Sequence, residues 1–324
     1  MRSVWMAGLV AVLGTAAVGC VIQPEDGSKY REPLTEQGSV SLALPGSSAG
    51  GASTQSVHLN GGQSSGGAVA SDAEFYRFSR DLTDTIDTNT AGILAIIWAV
   101  AQTPPTTVSG NTATWGPSAD SNALDPIVWR LQVQEVATDE FDYHVDARPK
   151  SSTSDADFKT FLKGHGYGKK HALHDSGWFQ ADNEAYRSLD PARAKDRGLT
   201  KVTYDVRQFP KTIAVEVRPN DGTGQADAKV QHLAQGAGIL DVVAKGDLED
   251  AKDGKLEDVV IKSQWNSTGA GRADAKVSGG SLPDRVGRHR GVLEQQLLAL
   301  LLQGQRRHQA VERQRERLRV QVTR

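Results

Sequence analysis

The densest group of side chains that could carry chemistry lies in the segment GHGYGKKHALHD, residues 164–175. His171, His174 and Asp175 are residue types that bind metal ions, and His165 could supply a third imidazole. A helix would place His171 and His174 on one face, whereas a strand would place them on opposite faces. The glycines around them favour a loop that leads into a strand. The sequence therefore predicts either a metal site at these four residues or a solvated loop.

A second polar segment, residues 247–258, is acidic enough to resemble a calcium-binding loop. In such a loop the ligands alternate on both sides of a glycine, and a glutamate completes the coordination. Here Ala251 occupies a ligand position, and Val260 stands where the glutamate should be. The sequence therefore favours an acidic hairpin that turns at Asp253-Gly254.

The chain contains no compact catalytic motif. Its glycine-rich stretches lack phosphate-loop spacing, and no nucleophile elbow marks a Ser-His-Asp arrangement. Cys20 is the only cysteine, so the sequence offers neither a disulfide nor a cysteine metal site. We therefore predict no catalytic residue and no cofactor.

The N-terminus has the layout of an export signal. Arg2 supplies a short positive region, and the apolar stretch 4–18 is shorter than the ~20 residues that a membrane-spanning helix needs. Ala17-Val18-Gly19-Cys20 then resembles the lipobox of bacterial lipoproteins, with Ala17 where a leucine is usual. The alternative is an ordinary secretory signal with an incidental cysteine.

The resemblance to bacterial lipoproteins implies that residues 1–19 are removed and that Cys20 carries the lipid. Several acyl chains of the palmitate type would anchor the protein stably, since each buried CH2 contributes ~0.8 kcal/mol. Val21 follows the cysteine where an aspartate would suggest retention at the inner membrane. We therefore expect an outer-membrane lipoprotein, on the periplasmic face or the cell surface.

Composition divides the rest of the chain into a tether and a helical region. Residues 20–70 are rich in Gly, Ser and Ala, which predicts a flexible tether. Residues 71–105 then show two apolar patterns at helical spacing, separated by Thr88-Asn89-Thr90 and ended by Pro104-Pro105. A capping box at Ser71 would begin the first helix. We expect a helical hairpin here, or one broken helix.

The hydrophobic period changes to two over residues 106–283. Ile127, Trp129, Leu131 and Val133 alternate with polar residues, and similar runs recur up to Val277. Short turns separate these runs, which is typical of an antiparallel meander. We therefore predict a mainly β or α+β domain whose sheet is strongly curved or closed into a barrel. The block 263–274 would form a strand end, a turn and the next strand, and it resembles a stretch of bacterial lipoproteins with no known activity.

Residues 284–324 differ from the rest of the chain. They contain 10 Arg, 4 acidic residues and no Lys, whereas residues 1–283 contain 15 Lys and 12 Arg. Leucines at 297–302 precede a polar run from Arg306, so the two kinds of residue do not form opposite faces of one helix. We interpret this tail as a frameshift product. Codons compatible with the tail can be read one nucleotide later into a string with aromatics, lysines and two cysteines, ending in a stop.

Two functional hypotheses of different class follow. The net charge of −2 favours no nucleic-acid partner. The first hypothesis is a non-enzymatic binding or structural domain for an apolar ligand or an envelope protein. The alternative is an envelope hydrolase whose active site is assembled from distant residues. The sequence leaves the ligand and the oligomeric state open.

Overall fold

Twelve antiparallel strands form one sheet in which each strand pairs with its neighbours in sequence. The computed structural model describes residues 27–35, 40–41, 74–119, 126–191, 197–222, 224–247, 254–268 and 270–280. The strands are β1 (Thr107–Ser109), β2 (Thr112–Ala119), β3 (Ile127–Ala137), β4 (Glu140–Pro149), β5 (Lys159–Tyr167), β6 (Ser176–Asp182), β7 (Leu199–Asp205), β8 (Lys211–Arg218), β9 (Gly224–His232), β10 (Gly238–Gly246), β11 (Glu257–Trp265) and β12 (Gly271–Gly279). The predicted antiparallel meander is confirmed.

Alternation of apolar and polar residues decides which face of each strand is buried. In β8, Ile213, Val215 and Val217 are buried, and the residues between them are partly exposed. In β3, Leu131 lies opposite Val145 of β4, and both are fully buried. Because side chains alternate across a strand, this pattern gives the sheet one apolar inner face and one polar outer face.

A single helix, α1 (Glu74–Ala101), spans the region where we expected a hairpin or a broken helix. It continues through Thr88-Asn89-Thr90, so no break occurs at these residues. Polar residues inside this helix have partners of their own. Thr90 is buried, and the Asp87 carboxylate accepts a hydrogen bond of 2.6 Å from the Ser41 hydroxyl. The helix ends before Pro104-Pro105, as predicted.

The sheet is open. Helix α1 packs mainly against β2 and β3 near one edge and against β12 at the other. With 28 residues at ~1.5 Å per residue, α1 is about 42 Å long, which lets one helix contact strands near both edges of the sheet. β1 and β12 do not pair, so the sheet is not closed into a barrel, which was one of the two predicted forms.

A second, shorter helix covers part of the sheet near β5. Helix α2 (Asn183–Leu189) connects β6 to β7, and the Asp182 carboxylate caps it by accepting from the Ala185 amide at 3.0 Å. Tyr186 of this helix packs on Phe161 and stacks on Trp129, with ring centroids 5.5 and 6.0 Å apart. The aromatic cluster fixes α2 against the sheet.

Part of the predicted tether belongs to the core. We define the N-terminal belt as residues 27–35 and 40–41, which begin with a short 3-10 helix, Gly27–Arg31. Tyr30, Leu34 and Val40 are buried in the same hydrophobic cluster as α1 and the inner face of the sheet. Other parts of residues 20–70, like residues 1–19 and 284–324, lie outside the described residues. Among the described helices, none combines the length and the hydropathy that a membrane span requires.

Candidate functional site

The inner face of the sheet is a continuous apolar surface, and α1 and the N-terminal belt cover it. Buried aliphatic and aromatic side chains extend along it from β2 to β11. Representative members are Trp115, Leu131, Tyr143, Phe179, Val202, Ile213, Val230, Leu240, Val242, Val259 and Trp265. These side chains are 0–5% exposed, so α1 and the belt already remove this apolar surface from water, at roughly 25 cal/mol per Å².

The outer face carries charges that pair across strands. Lys229 lies opposite Asp241, Asp241 opposite Lys262, and Lys262 opposite Asp274 in successive strands. Opposite charges at such positions stabilise a sheet that faces water. Toward the other edge, the buried Asp146 carboxylate accepts from the Arg130 guanidinium at 2.8 Å. The outer face is therefore the side of the sheet that contacts water, and the inner face is the candidate for ligand contacts.

The N-terminal belt crosses the inner face along one end of the sheet. We define the first rim as the connections that follow odd-numbered strands: 110–111, 138–139, 168–175, 206–210, 233–237 and 266–270. Belt residues contact strands and connections near this rim, beginning at β3 and the β1–β2 connection and ending at β9. Lys29 forms an ion pair of 3.0 Å with Glu135, and Tyr30 donates to the Gly110 carbonyl at 3.4 Å. Glu32 accepts from the Lys169 amide at 3.0 Å, and Thr35 donates to the Tyr204 hydroxyl at 2.6 Å. At the end of the belt, the Ser41 carbonyl accepts from His232 at 2.9 Å.

Thr35 is the centre of a buried polar cluster beneath the belt. Its hydroxyl donates to Tyr204, and its carbonyl accepts from the Trp98 indole of α1 at 2.6 Å. Burial raises the pKa of Tyr204 to about 12 and raises the pKa of Tyr143 well above its usual value. Both phenols therefore stay neutral inside an apolar site. The Tyr204 hydroxyl accepts from Thr35, whereas the buried Tyr143 hydroxyl has no hydrogen-bond partner among the described residues. This cluster connects the belt, the helix and the sheet.

In the motif GHGYG, glycines occupy the positions of β5 that face the inner side of the sheet, where there is no room for a side chain. A side chain at Gly164 would meet the ring of Tyr143, and one at Gly166 would meet the Pro33 carbonyl of the belt. His165 and Tyr167 alternate with these glycines and therefore lie on the outer face. Small inner residues in β5 leave room for an aromatic ring and for the belt. The histidine-rich segment thus begins as a strand, and the glycines shape packing there.

The four metal candidates lie on the outer face and in the β5–β6 connection. His165 Nδ1 forms a hydrogen bond of 2.7 Å with Asp142, and its other ring nitrogen is 3.4 Å from Glu140. His171 stacks on Tyr167 with ring centroids 4.5 Å apart. His174 donates to the Tyr167 carbonyl at 3.0 Å and is 3.4 Å from Asp175.

These contacts give each imidazole a protein partner. Within the described part of the chain, no three or more His, Cys, Asp or Glu side chains form a group that could hold a metal ion. Residues 168–175 form turns, as the loop interpretation predicted, whereas residues 164–167 belong to β5. The acidic segment connects β10 to β11, whose register pairs Gly246 with Glu257, and the Gly254 amide donates to Asp247 at 2.8 Å. The pairing of β10 with β11 is that of the expected hairpin, and the residues of its connection at 248–253, including Asp253 of the predicted turn, lie outside the described residues.

Sequence reasoning missed the residues that organise the covered inner face. Thr35 and Ser41 lie in a stretch whose composition is that of a tether, and their partners Tyr204 and His232 follow them by 169 and 191 residues. Tyr30 and Leu34 could have indicated that this stretch is buried, because two large apolar residues are unusual in a tether that stays in water.

Comparison with known proteins found no likeness: no protein-family model, no curated protein and no solved structure matches the chain.

Proposed function

We propose that this protein is a lipid-anchored lipoprotein of the bacterial outer membrane whose β domain is a binding module. Its inner face binds an apolar ligand, and an envelope protein is the alternative occupant of the same surface. The observation that carries the proposal is the continuous apolar inner face, which is built from nearly every strand and which, within the described part of the chain, is covered by α1, the short helix α2 and the belt. The lipobox-like sequence that ends at Cys20 supports the anchor.

The distribution of ionisable groups supports binding over the hydrolase alternative. The carboxylates with shifted pKa, Glu135 and Asp205, lie in separate strands, whereas the phenols Tyr143 and Tyr204 share the buried polar cluster beneath the belt. The hydrogen bond between Lys29 and Glu135 at the first rim raises the pKa of Lys29 and lowers the pKa of Glu135. A second pair, Asp205 with Arg207, lies on and just after β7, where the hydrogen bond from Arg207 lowers the pKa of Asp205. Lys29 with Glu135, and Arg207 with Asp205, each form an ion pair, so these charges have a structural role.

Anchoring is tested by metabolic labelling with radioactive palmitate. We expect label in the wild-type protein and none in Cys20→Ser, which should also leave the membrane fraction. A wild-type protein without label, or a Cys20→Ser variant that keeps it, would contradict the lipoprotein assignment.

Ligand binding is tested with a fluorescent fatty acid that accepts energy from tryptophan. Saturable transfer is expected, because Trp98, Trp115 and Trp265 lie at the inner face. Val242 and Val243 are adjacent in β10, with Val242 buried and Val243 exposed. Val242→Asn should weaken binding, while the matched control Val243→Asn should leave it unchanged. Equal effects of the two variants, with both folded by circular dichroism, would refute the inner face as the site.

A further inference from the structure

The last described strand of the sheet offers a long edge to a further strand. β12 pairs with β11 along all nine of its residues, and the register of this pairing contains no bulge. Within the described part of the chain, no strand pairs with the other side of β12. The free N–H and C=O groups along such an edge can form a ladder with another chain.

The opposite edge of the sheet is built differently. β1 has only three residues, so it covers less than half of β2. Pro117 of β2 has no N–H to donate, and the pairing of β2 with β3 shifts register between Trp115 and Ser118. Short strands, prolines and bulges protect a sheet edge against pairing with another chain. One edge is therefore protected in this way, whereas β12 is not.

The side chains of β12 restrict which strand fits beside it. On the outer face, Arg272, Asp274 and Lys276 are exposed. The inner-face residues between them are small or apolar, and they pack half-buried against the core: Ala273, Ala275 and Val277. A fitting strand must place a positive charge beside Asp274, a negative charge beside Lys276, and apolar side chains on the inner face.

A second copy of β12 meets these requirements. In an antiparallel pair of β12 strands with a two-fold axis at Ala275, each contact between two different residues occurs twice. Asp274 then lies opposite Lys276 of the second copy, and Lys276 lies opposite Asp274 of the second copy. On the inner face, Ala273 lies opposite Val277 of the second copy. The strand is thus self-complementary in charge and in apolar character.

Neighbouring registers of the same pair do not fit. A two-fold axis at Asp274 would place two aspartates opposite each other and Arg272 opposite Lys276, and an axis at Lys276 would place two lysines opposite each other. Like charges directly opposite destabilise a sheet. A shift by one residue would place outer-face charges opposite inner-face apolar side chains, because side chains alternate along a strand. The charges of β12 therefore select one register.

This register also continues a charge pattern that already crosses the outer face. Lys229, Asp241, Lys262 and Asp274 lie opposite one another in the successive strands β9 to β12. Lys276 of the second copy would be the next member of this series, and it has the sign that the alternation requires.

We infer that β12 is a dimerisation edge, at which a second copy of this chain adds its own β12 in antiparallel register about Ala275. The contact joins two sheets into one through backbone hydrogen bonds and two pairs of opposite charges. It depends neither on a lipid at Cys20 nor on ligand binding at the inner face.

Charge reversal at the paired positions tests the inference. Full-length chains carry Cys20→Ser, so that neither a lipid nor a disulfide contributes, and sedimentation velocity measures their association over a range of protein concentrations. The Cys20→Ser protein should form dimers. Lys276→Asp places aspartates opposite each other at both pairs and should weaken the dimer roughly tenfold or more. Lys229→Asp is the matched control, because it makes the same change at an exposed outer-face lysine of the interior strand β9, and it should leave the dimer intact.

Mixing two variants tests the register itself. Asp274→Lys should also fail to self-associate, and its fold is checked by circular dichroism because Asp274 pairs with Arg272 of its own strand. In the mixture, one chain carries two lysines where the Lys276→Asp chain carries two aspartates, so both pairs become favourable. We expect the mixture to associate roughly tenfold more tightly than either variant alone.

Three results would overturn the inference. The first is a Cys20→Ser protein that stays monomeric at every concentration, as expected if another protein or a later segment of the same chain occupies the edge. The second is a dimer that Lys276→Asp and Lys229→Asp affect equally, which would place the interface elsewhere. The third is a pair of folded variants that do not associate when they are mixed, which would reject the register about Ala275.

Discussion

At the scale of single residues, the hydroxyl pair of Thr35 and Tyr204 shows how the domain tolerates polar groups in its core. Both residues are buried, and the hydrogen bond of 2.6 Å between them satisfies groups that water cannot reach. An unmet hydroxyl in such a place costs more than the bond itself contributes. The two residues therefore depend on each other.

This dependence can be measured by a double-mutant cycle. Thr35→Val keeps the shape of the side chain and leaves the Tyr204 hydroxyl without its donor, so we expect a loss of about 1–3 kcal/mol in the free energy of unfolding. Tyr204→Phe in the Thr35→Val background should recover part of that loss. Urea unfolding of the four proteins gives the coupling energy, and additive effects would show that the hydroxyls do not interact.

His232 gives the domain a pH dependence with a definite sign. Burial lowers the pKa of His232 below its usual value of 6.5, against a smaller opposing effect of its hydrogen bond to Ser41. The unfolded chain therefore binds a proton at a higher pH than the folded protein does. Stability from this residue is present above pH 6.5 and decreases as the pH falls toward the folded pKa.

We expect the urea midpoint of the wild-type protein to fall between pH 7 and pH 5, and His232→Gln to show a smaller fall. Glutamine keeps an N–H donor for the Ser41 carbonyl and cannot be protonated in this range. Carboxylates contribute equally to both proteins, so the difference between the two profiles isolates the histidine. Parallel profiles would mean that His232 is as accessible to protons in the folded state as in the unfolded one.

At the scale of elements, α1 shows where sequence patterns mislead. Thr88, Asn89 and Thr90 are typical residues of a helix start, and their place between two apolar runs predicted a break. Capping preferences amount to ~1 kcal/mol. The single helix instead positions Asp87 toward Ser41 of the belt and Trp98 toward Thr35. Tertiary contacts of this kind outweigh a local preference of that size.

Proline at position 89 distinguishes one helix from two. In the interior of a continuous helix, Asn89→Pro removes a backbone hydrogen bond and should cost about 3 kcal/mol or more. In a hairpin the same change would fall in the connection and cost little. Asn89→Ala is the matched control and should be neutral or slightly stabilising, because alanine has the higher helix propensity. Urea unfolding followed by circular dichroism measures both variants.

The sheet was more predictable than its contents. Strands β3, β4, β8 and the later strands have one wet face, so a period of two is visible in their residues. Strand β5 was missed because Gly164 and Gly166 occupy its inner positions, where apolar side chains would have produced that period. The belt was missed because its composition resembles a linker and its partners are far away in sequence. The apolar inner face of the sheet could be predicted from the sequence, whereas the belt that covers it could not.

At the scale of the whole molecule, one hydrophobic cluster joins the belt, α1 and strands β2 to β11. No described element of this set has a core of its own, so the set should unfold together. Tryptophans lie in different elements of this cluster: Trp98 in α1, Trp115 in β2 and Trp265 in β11. Their fluorescence therefore follows the unfolding of several parts of the domain.

Urea unfolding should therefore give a single transition with the same midpoint by tryptophan fluorescence and by far-ultraviolet circular dichroism. Thr35→Val should shift both curves together, because the belt is part of the same cooperative unit. Two separated midpoints, or a fluorescence change that precedes the loss of β structure, would show that the belt and helix detach independently.

The order of the strands has a consequence for the order in which the chain folds. Every pairing in the sheet joins consecutive strands, so hairpins can form one after another from the N-terminal side. The belt emerges before all of them, yet its contact with His232 must wait for β9, 191 residues later. We therefore expect belt docking to be the last step of folding.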